Sequence, residues 1–468
     1  MKIYNTLTRH LEDFVPLEPG KARVYNCGPT VYMYATVGNF RTLIFEDVLR
    51  RYLEYQGLAV TQIMNITDVG HLTEDAESGE DKLEKTAREQ KLDPWQIAAS
   101  YATAFFEDID ALGLQRATHY PKATDHVPEM IELIKTLVKR GHAYVKNKCV
   151  YYDISSYPPY GQLSGNTLED LLPGARLEIN VDKRDPRDFA LWVTDPKHIM
   201  RWESPWGVGY PYWHVECSAM AMKYLGESID IHTGGEDNIF PHHECERAQS
   251  EGATGKTFAK YWMHARFLLV DGRKMSKSLG NFYTLRDLTA KGYEPRPIRY
   301  ALLSTHYRQP LNFTLDGIDG AKTALRRFED FRSRLREAQN AGGTENPAVE
   351  AAVEKARLAF EAGMDDDLNV SPALAGLFDM MTEINRLAVG PAGAAKALAF
   401  LDRVDHVLNV FGKEKAATLD AEVERLIAER QAARQAKNFA RADEIRKQLQ
   451  AMGIALEDKA TGVRWKRM

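Results

Sequence analysis

The clearest chemical signature in the sequence is the pentapeptide KMSKS at residues 274–278. Its lysines, Lys274 and Lys277, flank a small hydroxyl residue, and Gly280 follows just beyond. An apolar run, FLLV at 267–270, and an Asp-Gly turn precede it, which predicts a strand followed by a loop. Ammonium groups on such a loop can close over a polyphosphate and neutralise charge that develops at phosphorus. The pattern therefore predicts a contact with nucleotide phosphates.

A second group of residues has side chains that suit a metal ion. Cys27 ends a predicted strand, and Cys217 follows the run Trp-His-Val-Glu. His242 and Glu246 are four residues apart, so they share one face if their segment is helical. Two thiolates, an imidazole and a carboxylate suit Zn²⁺. No Cys-x-x-Cys pair is present, so spacing alone leaves this zinc set open.

Neighbouring residues compete for the same role. His243 and Cys245 lie beside two of the candidate ligands, and whether Cys245 contributes is left open. Cys149, within a predicted strand, is expected to be a small buried residue. Two other motifs are excluded, because GATGKT at 252–257 lacks the first glycine of a P-loop and HHECE does not spell His-Glu-x-x-His.

Two glycine-containing turns complete the candidate site. Thr36-Val37-Gly38-Asn39 opens a predicted helix, where Gly38 allows close approach to a nucleotide and Thr36 and Asn39 can donate hydrogen bonds. Helix capping by Asn39 is the alternative. The run HTGGED places His232 and Asp237 beside paired glycines, which suggests a ligand-lined loop or a simple turn.

The elements that must position these residues follow from the hydrophobic pattern. A strand, a helix and a strand within about 45 residues form a βαβ unit, which favours a parallel sheet. A long, almost purely helical region follows the KMSKS loop and suggests a bundle, and its tail predicts one further helix. The predicted strands are 21–27 and 59–66, the predicted helices are 39–56, 95–112, 128–140 and 421–451, the predicted hairpin is 142–154, an aromatic- and proline-rich insertion is 155–205, the helical region is 315–410, and the predicted linker is 340–348.

The length and net charge of the chain limit the domain organisation and the kinds of partner that the sequence allows. The chain of 468 residues predicts three or four domains. Its 61 basic and 66 acidic residues give a net charge of −5, which argues against a surface that binds nucleic acid everywhere. The charge is uneven, however, at +4 over residues 421–468 and −9 over the rest. Four scattered cysteines, no secretory signal and no apolar run of membrane-spanning length favour a cytoplasmic protein.

Taken together, these motifs resemble the cysteinyl-tRNA synthetases, a family of class I aminoacyl-tRNA synthetases. The resemblance runs along essentially the whole chain and ends with a tail, GIALEDKATGVRWKR, similar to the family's C-terminus. The motifs that carry it are YNCGPTVY (25–32), NITDV (65–69), YGQLSG (160–165), FALW (189–192), SPWG (204–207), WHVECSAM (213–220), HTGGEDNIFPHHE (232–244) and KMSKS.

The resemblance implies an α/β architecture with a Rossmann-like parallel-sheet catalytic domain, an inserted domain, a helical bundle and a small anticodon-binding domain. The implied regions are the catalytic domain in two parts (1–118 and 205–262), the inserted connective domain (119–204), a KMSKS-bearing region that contacts the tRNA stem (263–314), the helical bundle (315–412) and the anticodon-binding region (413–468).

The resemblance also implies the reaction. L-Cysteine and ATP would form cysteinyl-adenylate, and the cysteinyl group would pass to the 3′ end of tRNA(Cys). One Zn²⁺ per chain would select the substrate thiolate, and Mg²⁺ would accompany ATP. The family suggests a monomer without a membrane partner. The implied roles are zinc binding for Cys27, Cys217, His242 and Glu246, substrate binding for Thr67, Trp213, His232 and Asp237, ATP binding for Gly38 and Lys277, and catalysis for Lys274, Lys277, Thr36 and Asn39.

One departure from the family bears on catalysis. The first family signature is His-Ile-Gly-His, and the corresponding positions here are Thr36, Val37, Gly38 and Asn39. Asparagine can replace a neutral imidazole as a donor, whereas threonine carries no positive charge and reaches less far. Loss of one phosphate contact costs about 1–3 kcal/mol. We interpret the change as a tolerated variant.

Two other functions are compatible with part of the pattern. One is an ATP-dependent ligase that joins cysteine to an amino sugar in thiol biosynthesis, which would need neither the bundle nor the basic tail. The other is a non-catalytic tRNA-binding paralogue, suggested by Thr36 and Asn39 but opposed by the intact KMSKS and HTGGED motifs.

Overall fold

The computed structural model divides the chain into two compact units, Met1–Phe411 and Gly412–Met468. No helix among the described residues is long and apolar enough to cross a membrane. The residues that the structure describes are 1–69, 81–167, 182–276, 279–412, 418–459 and 462–467.

Helices and strands alternate through most of the first unit and give way to helices alone in its last part. The strands are β1 (Lys2–Asn5), β2 (His10–Asp13), β3 (Lys21–Asn26), β4 (Ala59–Met64), β5 (Ala143–Lys146), β6 (Cys149–Tyr152), β7 (Phe189–Val193), β8 (Tyr210–Pro211), β9 (Ile229–Gly235), β10 (Ala259–Ala265), β11 (Leu268–Val270), β12 (Arg273–Lys274) and β13 (Leu311–Phe313). The helices are α1 (Val37–Tyr55), α2 (Lys82–Gln90), α3 (Pro94–Ala111), α4 (Val127–Arg140), α5 (His214–Leu225), α6 (Glu244–Thr254), α7 (Leu285–Ala290), α8 (Pro295–Leu303), α9 (Leu315–Ala341), α10 (Pro347–Asp365), α11 (Val370–Ile384) and α12 (Pro391–Leu408).

The central sheet is parallel and has the strand order β10-β9-β3-β4. Helix α1 connects β3 to β4, and its apolar face, which includes Ile44 and Leu49, is fully buried. The predicted βαβ unit and the predicted α/β fold class are confirmed. Because the chain leaves β3 toward β4 but later adds β9 on the other side, the strand order reverses between β3 and β9. In open parallel sheets ligands bind at the carboxyl ends of the strands at such a point.

A second sheet lies in the segment between α4 and α5. Strands β5 to β8 form it in sequential antiparallel order, and the predicted hairpin at 142–154 is its first pair. Short strands and aromatic residues build this segment. Trp192 and Tyr152 are fully buried in it.

A buried arginine joins helix α1 to the helices in the last part of the first unit. Arg299 on α8 is fully buried, and its guanidinium donates to the carbonyl of Leu408 at 2.8 Å and to Asp47 Oδ2 on α1 at 2.5 Å. A third, longer hydrogen bond of 3.4 Å reaches the carbonyl of Leu112. Asp47 also pairs with Arg51 at 2.8 Å, so loss of Arg299 removes one of the two cations that compensate this buried carboxylate, and loss of a partner from a buried ion pair is strongly destabilising.

We therefore expect Arg299→Met to lower the free energy of unfolding by about 3 kcal/mol. Arg296 lies on the same helix and pairs with Glu329, but a third of its side chain is exposed. Arg296→Met should cost less than about 1 kcal/mol, as is usual for exposed pairs. Urea unfolding of both full-length variants measures the difference. Equal losses would show that Arg299 contributes only its aliphatic packing.

The C-terminal unit corrects one prediction. The single helix expected over 421–451 is wrong, because the segment forms two helices, α13 (Thr418–Gln435) and α14 (Phe439–Ala451). Lys437 has a φ of 56°, in the left-handed region, and Asn438 caps α14 through the amide of Arg441. Two antiparallel strands follow, β14 (Ile454–Lys459) and β15 (Gly462–Arg467).

This unit has a core of its own, separate from that of the first unit. The indole of Trp465 packs against this core, and its Nε1 group donates to Glu424 at 2.7 Å. The indole is therefore held on the unit instead of extending as a frayed tail. The buried apolar residues are Val423, Leu426, Ile427, Ile445, Leu449 and Ile454.

Candidate functional site

The candidate site lies at the carboxyl ends of β3 and β9. Cys27 follows the last residue of β3, and its amide donates to the carbonyl of Thr233 in β9 at 3.2 Å. In the sheet register Tyr25 lies beside His232, so Cys27 and the His232-Thr233-Gly234-Gly235 segment emerge together. The sheet thus brings together residues that are about 200 positions apart at the point where a parallel sheet binds ligands.

Two helices complete the cluster. Cys217 lies in the first turn of α5, and Glu246 lies in the first turn of α6. His242 precedes α6, and its Nε2 lies 2.9 Å from Glu246 Oε1. The spacing of four residues therefore places these two side chains in contact, as the sequence predicted.

Metal-ligating atoms from these elements lie close together. One atom from each of Cys27, Cys217, His242 and Glu246 falls within 4.8 Å of the others. Among the described residues a second group meets the same distance, and it shares Cys27 and Glu246 with the first but replaces the other two by His232 and His243. The first group contains two sulfur donors instead of one, which suits Zn²⁺ better.

The acid and the imidazole stabilise each other's charge. Burial favours the neutral forms of both, but the Glu246 carboxylate and the Cys217 thiol raise the pKa of His242 to about 10. His232 and His242 in turn lower the pKa of Glu246 to about 2, against the effect of burial. Glu246 is therefore a carboxylate over the whole range of physiological pH.

The two thiols are unequal. Burial, together with the neighbouring Cys217, raises the pKa of the Cys27 thiol. A hydrogen bond from Cys27 and a further one involving His242 lower the pKa of Cys217, whereas burial opposes them. The cluster therefore favours a thiolate at Cys217, stabilised by the groups that surround it.

A chain of hydrogen bonds orients Cys27 from behind. The Cys27 sulfur lies 3.1 Å from His243 Nε2, and His243 Nδ1 lies 2.7 Å from His264 Nε2. His264 Nδ1 is 2.8 Å from the Thr6 hydroxyl. Burial lowers the pKa of His264 to about 3 and that of His243 also falls, so both rings are neutral. If Thr6 donates to His264, each ring accepts at Nδ1 and donates at Nε2, and the chain ends in a donor to the Cys27 sulfur.

Sequence reasoning missed the roles of these three supporting residues. His243 was noticed only as a competitor for metal, and Thr6 and His264 lie in no motif. No spacing could identify them, because they come from three separate elements. The only available signal was the adjacent pair of histidines at 242–243.

The residues predicted to bind the amino acid substrate differ in how deeply they are buried. The Trp213 ring is half-buried and stacks on the His242 ring at 4.7 Å, and the buried Thr67 donates to Glu216 at 3.3 Å. His232 is fully buried, with its Nε2 2.9 Å from Glu246 Oε2, so it supports a ligand from behind. Asp237 is exposed beyond the end of β9.

The first turn of α1 and the KMSKS loop lie side by side. Val37 donates its amide to the carbonyl of Tyr283 at 3.0 Å, beyond the loop. A side chain at Gly38 would meet the methyl group of Met275 at 3.5 Å. The segments that contain Gly38 and Lys274, which are 236 positions apart in the sequence, are therefore neighbours in the fold.

Thr36 and Asn39 form a reciprocal cap for α1. The Thr36 hydroxyl and amide both donate to Asn39 Oδ1, at 2.8 and 2.9 Å, and the Asn39 amide donates back to Thr36. The Asn39 side chain is exposed, and its Nδ2 group donates to no partner among the described residues. Capping and ligand binding are thus compatible for Asn39.

The KMSKS loop begins at an exposed lysine and is shaped by an asparagine that follows the motif. Lys274 ends β12 and is exposed. Asn281 shapes the loop, because it donates to the carbonyl of Lys274 at 3.2 Å and accepts from the Ser276 amide at 2.9 Å. Lys277 lies outside the described residues.

Comparison with protein families divides the chain into three matched regions. Residues 13–323 match the family described as "tRNA synthetases class I (C) catalytic domain". Residues 359–413 match the "DALR domain", and residues 416–465 match the "Cysteinyl-tRNA ligase anticodon binding domain".

Similar proteins extend over the full chain. A cysteine–tRNA ligase of Clostridioides difficile is 45% identical over 477 residues, covering 100% of both chains. A cysteine–tRNA ligase of Thermus thermophilus is 43% identical over 480 residues, covering 99% of this chain and 98% of its own.

Solved structures share the fold at much lower identity. A Mycobacterium tuberculosis methionyl-tRNA synthetase in complex with methionyl-adenylate has a TM-score of 0.60 and 16% identity, covering 84% of this chain and 90% of its own. The LeuRS of Agrobacterium radiobacter K84, in a ternary complex, has a TM-score of 0.61 and 13% identity, with 86% of each chain covered.

Proposed function

Since this chain belongs to the cysteinyl-tRNA synthetase family, we propose that it is a cysteine–tRNA ligase that selects its amino acid with a zinc ion. The observation that carries the proposal is the buried cluster of Cys27, Cys217, His242 and Glu246 at the switch point of the parallel sheet. It lies in the same matched region as the turn that contains Gly38 and the KMSKS loop, which lie side by side.

The donor set fits zinc. Two sulfurs, one imidazole nitrogen and one carboxylate oxygen lie at mutual distances compatible with one small ion, and the Glu246 oxygen lies 3.6 Å from the Cys27 sulfur. A bound zinc ion would supply a Lewis acid to which the substrate's sulfur binds as thiolate. A site that requires such a bond rejects an analogue that cannot form it by about 10⁴-fold. Serine, which has oxygen in place of sulfur, would be rejected in this way.

The protein would hold cysteine by its other groups as well. The Trp213 ring, fixed on His242, forms an apolar wall, and the Thr67 hydroxyl, fixed on Glu216, forms a polar one. When cysteine is held in this way, an oxygen of its carboxylate attacks the α-phosphorus of ATP. The bond to the bridging oxygen breaks, and pyrophosphate leaves. Positioning of the two reactants accounts for much of the rate.

The ATP phosphates would lie between the start of α1 and the KMSKS loop. A helix N-terminus attracts anions, and Gly38 lets the nucleotide approach the backbone. Asn39 Nδ2 donates to a phosphate oxygen, while Thr36 acts through the cap that fixes the helix. Lys274 and Lys277 neutralise charge as pyrophosphate departs. Mg²⁺ accompanies ATP in this scheme.

Transfer to RNA would involve the remaining regions. The 3′-terminal ribose hydroxyl of tRNA(Cys) attacks the carbonyl carbon of the adenylate, releasing AMP and a proton. The helical bundle would contact the tRNA stem, and the C-terminal unit, with a net charge of +4 over 421–468, would meet the anticodon. A monomeric, cytoplasmic enzyme remains the prediction.

Two assays test this function. The protein should exchange radioactive pyrophosphate into ATP when cysteine is present, and it should charge tRNA(Cys) with cysteine but not serine. Absence of cysteine-dependent exchange would refute an enzymatic role. Exchange without charging would instead favour the cysteine–amino sugar ligase, although the matched anticodon-binding region argues against that enzyme.

Cys245 supplies a control for the zinc assignment. It is buried and interacts with the Tyr160 hydroxyl at 3.3 Å, and it belongs to neither group of metal-ligating atoms. We expect Cys245→Ser to keep its zinc and to remain within about twofold of the parent in cysteine activation, because serine retains the hydrogen bond to Tyr160. Loss of zinc from this variant would show that Cys245 is a ligand.

A further inference from the structure

A carboxyl group is buried in the core directly behind the candidate site. Glu46 lies on α1, two helical turns after Asn39, and is only 1% exposed. None of the motifs includes it, and the proposed mechanism does not use it. Acidic side chains are almost never buried to this extent unless they have partners.

The partners of Glu46 lie at the ends of the two strands that carry the site. The Thr233 hydroxyl, on β9, donates to Glu46 Oε1 at 2.7 Å. The Asn26 amide, on β3, donates to the same hydroxyl at 2.5 Å. Thr233 immediately follows His232, and Asn26 immediately precedes Cys27. The three side chains therefore join α1, β9 and β3 at one point.

This junction fixes the backbone that carries Cys27. The Cys27 amide donates to the carbonyl of Thr233, and the hydroxyl of the same threonine donates to Glu46. The bonds to Glu46 and Asn26 anchor Thr233, and a shift of its backbone would move both the carbonyl that holds Cys27 and the neighbouring His232, which supports Glu246. Groups that orient metal ligands through hydrogen bonds control metal affinity about 10- to 100-fold.

We propose that Glu46 is a positioning residue that sets the affinity of the site for zinc and for the thiol substrate by holding Thr233, and with it Cys27 and His232. This role rests on the proposed function, because it concerns the same centre. Glu46 belongs to neither group of metal-ligating atoms, so it acts through Thr233. Burial raises the pKa of Glu46 to about 8 even though Thr233 and Asn26 favour its ionised form. A neutral carboxyl can remain there at neutral pH without a counter-ion, which agrees with a structural role.

The test compares variants that keep or remove the accepting oxygen. Glu46→Gln keeps an oxygen at the same position, Glu46→Met removes it at similar length, and Thr233→Val removes the hydroxyl without changing shape. We expect the Met and Val variants to weaken zinc binding, measured by competition with a chromophoric chelator, about tenfold. The KM for cysteine in pyrophosphate exchange should rise by about the same factor, while the KM for ATP changes by less than about twofold. Glu46→Gln should stay close to the parent.

A matched control lies one residue away. Asp47 is also buried on α1, but it pairs with Arg51 and Arg299 away from the site, so Asp47→Asn should lower stability without changing the ratio of the two KM values. The proposal is overturned if cysteine and ATP KM values rise together, if Gln is as severe as Met, or if zinc affinity is unchanged. Should Glu46→Met fail to fold, Thr233→Val decides. A parent protein without cysteine-dependent exchange would instead refute the proposed function.

Discussion

Replacement of Cys27 by serine should remove zinc from the protein and abolish cysteine activation. Cys27 belongs to both groups of metal-ligating atoms, so no alternative arrangement of the described residues avoids it. A serine hydroxyl stays protonated at neutral pH and is a poor zinc ligand. We expect zinc affinity to fall by more than about a hundredfold, since even residues behind the ligands control it to that extent.

The measurements separate metal loss from general damage. Zinc content after dialysis should drop to background, and cysteine-dependent exchange should disappear, while the urea midpoint of the variant identifies any unfolding. Cys149→Ser is the matched control, because Cys149 lies on β6 in the inserted sheet and belongs to neither group. If Cys27→Ser retains zinc and activates cysteine, the metal assignment is wrong.

Much of this arrangement could be predicted from local sequence. The alternation of apolar residues before Cys27, followed by a helical period, indicated the βαβ unit and hence the edge at which ligands bind. The four-residue spacing of His242 and Glu246 indicated their contact. The assignment of Cys27 and Cys217 to the same site depended on the family resemblance, because no spacing rule relates residues 190 positions apart.

The remaining features depend on three-dimensional packing. The hydrogen-bonded chain from Thr6 through His264 and His243 joins elements from both ends of the catalytic region, so its members have no common sequence pattern. The break between α13 and α14 was missed because neither glycine nor proline marks it. A lysine, Lys437, adopts the left-handed conformation there, which side chains other than glycine rarely do.

The burial of Glu46 is another feature that the sequence alone could not predict. Its position in the sequence, between Phe45 and Asp47 on α1, does not distinguish a buried acid from an exposed one. Only the placement of Thr233 above it shows that the acid faces the sheet. The consequence is a pH dependence of stability that composition could not suggest.

We expect Glu46→Gln to be increasingly more stable than the parent protein as pH rises from 5 to 8. Burial raises the pKa of Glu46 from 4.5 to about 8 in the folded protein. Below pH 4.5 the carboxyl is protonated in both the folded and the unfolded chain, so it makes no pH-dependent contribution. Between those values the unfolded chain releases a proton that the folded chain retains, and unfolding of the parent therefore becomes easier as pH rises.

Glutamine does not titrate, so the variant escapes this loss. The difference in free energy of unfolding should grow by about 4 kcal/mol between pH 4.5 and 8. Other groups that titrate in this range, such as the histidines around the site, are present in both proteins and cancel in the difference. Urea unfolding of the two full-length proteins at several pH values measures it.

Glu46→Met provides the second comparison. Met at position 46 also lacks a titrating group, so the difference in free energy of unfolding between this variant and the parent should rise with pH as steeply as it does for Glu46→Gln. At every pH Glu46→Met should be less stable than Glu46→Gln, because the hydrogen bond from Thr233 is lost. If the stability differences of the two variants run parallel with pH, their common slope reports the titration of the carboxyl and the offset between them reports its hydrogen bond. A difference that stays constant from pH 5 to 8 in both variants would mean that Glu46 is ionised in the folded protein, and the hydrogen bonds from Thr233 and Asn26 would then stabilise a buried carboxylate.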